Sequence, residues 1–147
     1  MKQAVVIINP HSGRRKKRID LVSIKKIFLK NNYEVRIFFT CHKGHAKEIV
    51  QQLSFVDLVV SVGGDGTFNE IMTGNFNRNQ PLLLSHIPTG TANDIGAMYG
   101  YGNNLVNNIK KLLKGKVKNI DVCTINNQPF TYVAAFGKFT NVSYETP

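Results

Sequence analysis

Leu58-Val59-Val60-Ser61-Val62-Gly63-Gly64-Asp65-Gly66-Thr67 decides the fold: an apolar run passes directly into three glycines that surround a single carboxylate. The run lacks clean polar–apolar alternation, which is how a strand covered on both faces reads, as in a parallel sheet flanked by helices. The glycines predict a turn after it. Without Cβ atoms the backbone reaches positive φ and its N–H groups approach a ligand closely, and successive N–H groups form a concavity that binds anions. Asp65 alone would repel a phosphate, so it fits there only if it holds a cation or takes a proton from a nucleophile. A phosphate-transfer site needs both a cradle and such a carboxylate.

Working outward, similar apolar runs occupy residues 4–8, 35–39 and 82–87. Between them lie helical periods, Leu21, Ile24 and Phe28 in one segment and Ala46, Ile49, Val50 and Leu53 in another. Strands alternating with helices predict an α/β layer fold with a mostly parallel sheet. Further helices are predicted over 69–75, 91–99 and 105–113, the last closed by Gly115. The pattern then changes: runs at 117–125 and 130–136, joined by Asn126-Asn127-Gln128-Pro129, predict an antiparallel hairpin. No repeat, low-complexity segment or Pro/Gly/Ser linker divides the chain.

At 147 residues there is one domain's worth of chain, enough to bury roughly 70% of its unfolded surface. Nineteen Lys and Arg against nine Asp and Glu give a formal charge of +10, which favours nucleotides, anionic lipid headgroups or nucleic acid as partners. Cys41 and Cys123 are too few and too far apart for a disulfide framework or a cysteine zinc site, and a reducing cytosol fits them. No apolar run approaches the roughly 20 residues of a membrane helix, so any membrane contact is expected to be peripheral. Phe130, Tyr132, Phe136, Phe139 and Tyr144 crowd the final stretch with no closing element after them. Such apolar surface predicts a partner segment beyond Pro147.

Four segments follow predicted strands: Asn9-Pro10-His11-Ser12-Gly13, Thr40 through Gly44-His45-Ala46, the Gly63 to Thr67 turn, and Pro88-Thr89-Gly90-Thr91-Ala92-Asn93-Asp94. Ligands of open parallel sheets bind at the carboxyl ends of the strands, so all four are expected to converge on one edge.

In their order and spacing, Asn9-Pro10-x-Ser12-Gly13, Gly63-Gly64-Asp65-Gly66-Thr67-x-Asn69-Glu70 and Pro88-x-Gly90-Thr91-x-Asn93-Asp94 resemble the nucleotide-lobe signatures of the diacylglycerol kinase catalytic domain family. That family includes sphingosine kinases and other lipid kinases, and the likeness is greatest to the soluble bacterial diacylglycerol kinases. Ala134-Ala135-Phe136-Gly137-x-Phe139 resembles the beginning of the family's second, β-rich lobe. The resemblance implies a Rossmann-like lobe similar to that of NAD kinases and phosphofructokinases over residues 1–125, with residues 126–147 starting the second lobe. It also implies ATP-dependent, Mg²⁺-assisted phosphorylation of a lipid hydroxyl, most readily diacylglycerol to phosphatidic acid. The protein would then work in the cytoplasm against the inner face of the plasma membrane. Backbone at Gly63, Gly64 and Gly66 and the Thr67 hydroxyl would cradle ATP phosphates at a helix start. Asp65 would act as general base or in the metal network. Asn9, Ser12, Gly13, Thr40, Gly90, Thr91 and Asn93 would line the nucleotide cleft, with Asp94 beside them. No direct metal ligand is assigned.

Plainer readings stand beside these. Thr91 to Asp94 also suits a helix cap, Asp65 a turn stabiliser, and Thr67-x-x-Glu70 a capping box. His11, His42, His45 and His86 show no shared metal-ligand spacing and read as solvated or structural. Arg14-Arg15-Lys16-Lys17-Arg18 steers ATP, lies against anionic lipid at about 1 kcal/mol per charge, or is a solvated helix start. Competing functions are an NAD kinase-like phosphotransferase, a nucleotide-binding module without catalysis, and a nucleic-acid binder. The last lacks interleaved basic and aromatic residues, and nucleic acid is not expected as a partner. Oligomeric state is open, a homodimer included.

Overall fold

The computed structural model describes residues 1–13, 19–90, 100–102 and 104–130. Strands β1 (Lys2–Ile8), β2 (Tyr33–Phe39), β3 (Leu58–Gly63) and β4 (Leu84–Pro88) form one parallel sheet in the order β2-β1-β3-β4. Helices α1 (Leu21–Lys30), α2 (His45–Gln52), α3 (Asp65–Phe76) and α4 (Leu105–Leu113) flank it. The central strands are buried as their apolar runs require, β3 at every position and β1 from Ala4 onward, whereas edge strand β2 alternates partly buried with exposed residues.

Side chains alternate across a strand, so each face of the sheet builds its own core. Ala4, Val6, Ile8, Leu58, Val60 and Val62 meet Ile24 and Phe28 of α1 and Ile109 of α4. On the other face Val5, Ile7 and Val59 meet Ala46, Ile49 and Val50 of α2 and Ile71 of α3. Truncating a side chain such as Phe28, fully buried in the first core, costs about 3–5 kcal/mol.

This division fixes where a ligand can sit. The chain steps from β1 outward to β2 through α1, then back across β1 to β3 through α2 on the opposite face. Right-handed crossovers force the change of face when the direction reverses. The loops leaving β1 and β3 therefore diverge, opening a crevice between the carboxyl ends of these two neighbours.

Three expectations are corrected. The α3 helix begins at Asp65, four residues before the expected 69–75 segment, because only Gly64, extended at φ −86° and ψ 178°, separates it from β3. None of Gly63, Gly64 and Gly66 has positive φ; among the described glycines that conformation belongs to Gly13, Gly44 and Gly100. The sheet ladder of β4 starts at Leu84 rather than 82. Leu82 is buried, but its backbone N–H and C=O bond the Asn75 side-chain amide at 2.8 and 3.0 Å instead of a strand.

Among the described residues the hairpin pairs β5 (Cys123–Ile125) with β6 (Gln128–Phe130), and the rest of the second expected run, 131–136, lies outside them. Asn126 and Asn127 both adopt positive φ, 49° and 61°, which is the two-residue turn matched to strand twist; Gln128 and Pro129 thus belong to the strand. Val117, Ile120 and Val122 are exposed and belong to no strand among the described residues. Packing places β6 against α3. The basic run 14–18, the helix expected over 91–99 and the second-lobe motif 134–139 lie outside the described residues.

Candidate functional site

The two central strands, β1 and β3, give their last carbonyls to the loops that follow their neighbours. Asn9 N–H bonds Val62 C=O at 2.9 Å, Thr40 N–H bonds Ile8 C=O at 2.9 Å, and Thr89 N–H bonds Gly63 C=O at 2.8 Å. The ladder therefore continues past the strand ends and holds four loops on one edge. Asn9 ties the two sides of the crevice. Its Nδ2 donates to Thr67 Oγ1 at 3.0 Å and its Oδ1 accepts from His11 N–H at 2.9 Å. The Ser12 and Thr89 hydroxyls share a further hydrogen bond.

Between these loops lies a cleft of about 450 Å³, lined by Asn9, Ser12, Thr40, Gly64, Gly66, Thr67 and Gly90 among others. Of the residues assigned to the nucleotide cleft from the sequence, these seven come together, while Asp65 is not among the residues that line it. Gly13 and Gly63 stand just behind them and act through space they leave open. Gly13 has φ +86°, and a Cβ there would overlap Thr89 C=O; a Cβ on Gly63 would fall 2.6 Å from Thr67 Oγ1. Thr91 and Asn93 lie outside the described residues. Gly64 and Gly66 sit at the start of α3, where the first N–H groups of a helix have no intrahelical partner and the dipole favours an anion.

Glu70 corrects the capping-box expectation. Thr67 is buried and engaged by Asn9, so it does not close a box with Glu70. The Glu70 carboxylate instead accepts from Gly44 N–H at 2.8 Å and Ala46 N–H at 3.3 Å. Gly44, the N-cap of α2, has no side chain with which to cap it. A residue of α3 thus caps α2, and in doing so carries the loop with Thr40 to the cleft.

Asp65 lies between the two cleft-lining glycines, with its Oδ1 turned toward the ring of His86, 3.9 Å from Nε2. His86 is 3% exposed, packed on Phe68 with ring centroids 4.9 Å apart, and its Nδ1 meets Ser61 Oγ at 3.2 Å. Burial pulls its pKa down to about 4, against a smaller opposing pull from Asp65. The ring is neutral at pH 7, so the contact is not an ion pair. Asp65 Oδ1 and His86 Nε2 are the two buried side-chain polar atoms without a hydrogen-bond partner among the described residues. Sequence reasoning read His86 as an ordinary histidine and missed this juxtaposition, as it missed Lys43 and His11 on the cleft wall. Only Lys43 carried a signal, as a cation in a loop already placed at the strand edge.

An open parallel sheet whose switch point bears a helix N-terminus, glycine backbone and a cleft rimmed by polar side chains is an α/β architecture suited to a phosphate-bearing ligand. The chain belongs to the diacylglycerol kinase catalytic domain family, whose model matches residues 3–125. It is 32% identical over 148 residues to a diacylglycerol kinase of Staphylococcus aureus, covering 99% of this chain and 47% of that protein. With a diacylglycerol kinase of Staphylococcus epidermidis the identity is 35% over 149 residues, with the same coverage. The crystal structure of a diacylglycerol kinase from Bacillus anthracis superposes with a TM-score of 0.79 at 27% identity, covering 97% of this chain and 51% of that one. The chain therefore spans about half the length of the relatives it matches.

Proposed function

We propose that this chain is the ATP-binding part of a lipid kinase that transfers the γ-phosphate of ATP to a lipid hydroxyl, with diacylglycerol the acceptor and phosphatidic acid the product. The observation that carries the reading is the Asn9–Thr67 bond across the switch point, which fixes the α3 N-terminus against the cleft. Phosphates bound there meet backbone N–H groups at Gly64 and Gly66, hydroxyls of Ser12, Thr40 and Thr67, and the Lys43 ammonium. Transfer of a phosphoryl group asks chiefly for such positioning and charge neutralisation.

The residues also suit Mg²⁺, which would neutralise phosphate charge. Glu70 is committed to the α2 cap, whereas the Asp65 side chain is 28% exposed at the start of α3. Asp65 is thus the group assigned to the acceptor proton or to the cation, and the neutral His86 ring beside it forms no ion pair with it. Residues 1–125 form the nucleotide lobe in this reading, and residues from 126 lead into a second, acceptor-binding lobe; the β5–β6 hairpin crosses that boundary. No helix among the described residues is long and apolar enough to cross a membrane, in keeping with peripheral contact at the inner face of the plasma membrane.

Two measurements test the proposal. Calorimetric titration of the chain with ATP should show binding that strengthens with Mg²⁺. In the full-length protein, labelled ATP offered to a panel of diacylglycerol, other lipid alcohols and NAD should label diacylglycerol; label on NAD alone would overturn the lipid assignment.

A further inference from the structure

His42, His45 and Glu48 follow one another at three-residue spacing where the loop after β2 enters α2, and one ligand-type atom from each lies within 4.8 Å of the others. The chemistry of His42 makes this more than proximity. Its Nδ1 is 3.0 Å from Lys43 C=O, and a carbonyl only accepts, so Nδ1 carries the hydrogen and Nε2 of the neutral ring carries a lone pair. That lone pair faces Glu48 Oε2 at 3.8 Å. Two acceptors held face to face suit a shared cation.

The Nδ1–H to backbone carbonyl bond is also the contact that sets tautomer and orientation in metal-ligating histidines. His45 stacks on His42, ring centroids 4.8 Å apart at 17°. Its Nδ1 accepts the Cys41 N–H at 3.0 Å, so this nitrogen too is unprotonated and can exchange that bond for a metal. Tetrahedral ligands at about 2.0–2.1 Å from a metal lie roughly 3.4 Å apart. The His42 and Glu48 side chains are more than half exposed, so His42 is free to turn out of the stack and bring its in-plane lone pair, with Glu48, onto a common ion.

We propose that His42, His45 and Glu48 form a site for a borderline divalent cation of the Zn²⁺ class on the rim of the cleft. Two imidazoles with one carboxylate suit such ions, while Mg²⁺ selects oxygen ligands. The site is separate from the Mg²⁺ assigned to ATP and does not depend on the kinase reading. Because His42 also lines the cleft, an ion here pins the loop that carries Thr40 and Lys43.

The test is calorimetric titration of the chain with Zn²⁺ at neutral pH, with Mg²⁺ alone as the control. The comparison is between the His42→Gln/Glu48→Gln double variant and a His11→Gln/Cys41→Ser double variant, which removes other exposed soft ligands near the cleft. The expected result is saturable Zn²⁺ binding that Mg²⁺ does not reproduce. It should weaken at least about tenfold in the first variant, the smallest loss typical even of an outer-shell partner, and persist in the second. Co²⁺ in place of Zn²⁺ should give ligand-field absorption without a thiolate charge-transfer band. Absence of Zn²⁺ binding, unchanged affinity in the first variant, or loss in the second would each overturn the proposal.

Discussion

Glu70 Oε1 accepts the backbone N–H of Gly44 at 2.8 Å, so α3 provides the cap that the N-cap residue of α2 has no side chain to supply. Glu70→Ala should cost about 0.5–2 kcal/mol, the range for a lost helix N-cap, read as a lower urea midpoint. Glu70→Gln retains an acceptor and should recover most of the loss. Both should weaken ATP binding in proportion, because the capped loop carries Thr40 into the cleft.

Asp65→Asn keeps the shape of the side chain and removes its charge. In the full-length protein, phosphorylation should fall by about 10²-fold or more, the scale of a positioned acid–base group, while the urea midpoint stays near the parent value. Activity within a few-fold of the parent would make Asp65 a structural turn residue.

His86 links pH to stability with a definite sign. The unfolded chain protonates this ring below its ordinary pKa of 6.5, the folded chain only below about 4, so the unfolded state gains protons first as pH falls. Stability from this group is complete above 6.5 and is lost progressively toward 4. Between about pH 7 and about pH 5 the loss should be about 2 kcal/mol. His86→Leu should flatten that part of the profile, measured by urea unfolding at each pH.

Gly66 and Gly13 should separate folding from binding. A methyl on Gly66 meets nothing within 4 Å, and alanine is the better helix former by up to about 1 kcal/mol. Gly66→Ala should therefore fold as well as the parent or better, yet bind ATP more weakly because the methyl enters the cleft. Gly13→Ala must adopt φ +86° and displace Thr89 C=O, so it should lose at least about 1–2 kcal/mol of stability.

The sheet was legible because buried parallel strands write unbroken apolar runs, and β1 and β3 did so. Seven cleft residues were legible because the loops after parallel strands must share an edge. What escaped was long-range or dependent on exact backbone. Three glycines suggested a loop, but with one extended residue α3 starts at once. At 117–122 the apolar spacing suggested a strand, and none forms there among the described residues. Glu70 and His86 act on Gly44 and Asp65 from far along the chain, and no local pattern announces such a meeting. Thr67-x-x-Glu70 even pointed to the wrong partner.

The α3 helix has twelve residues and is about 18 Å long. Its first turn opens on the cleft, its second holds the start of α2, and its flank bears the β6 strand of the hairpin. It is a single rigid strut shared by three neighbours. A small rotation on filling the cleft would be felt by the α2 loop and by the hairpin together, so amide exchange in β5–β6 should report ligand binding at a place no ligand touches.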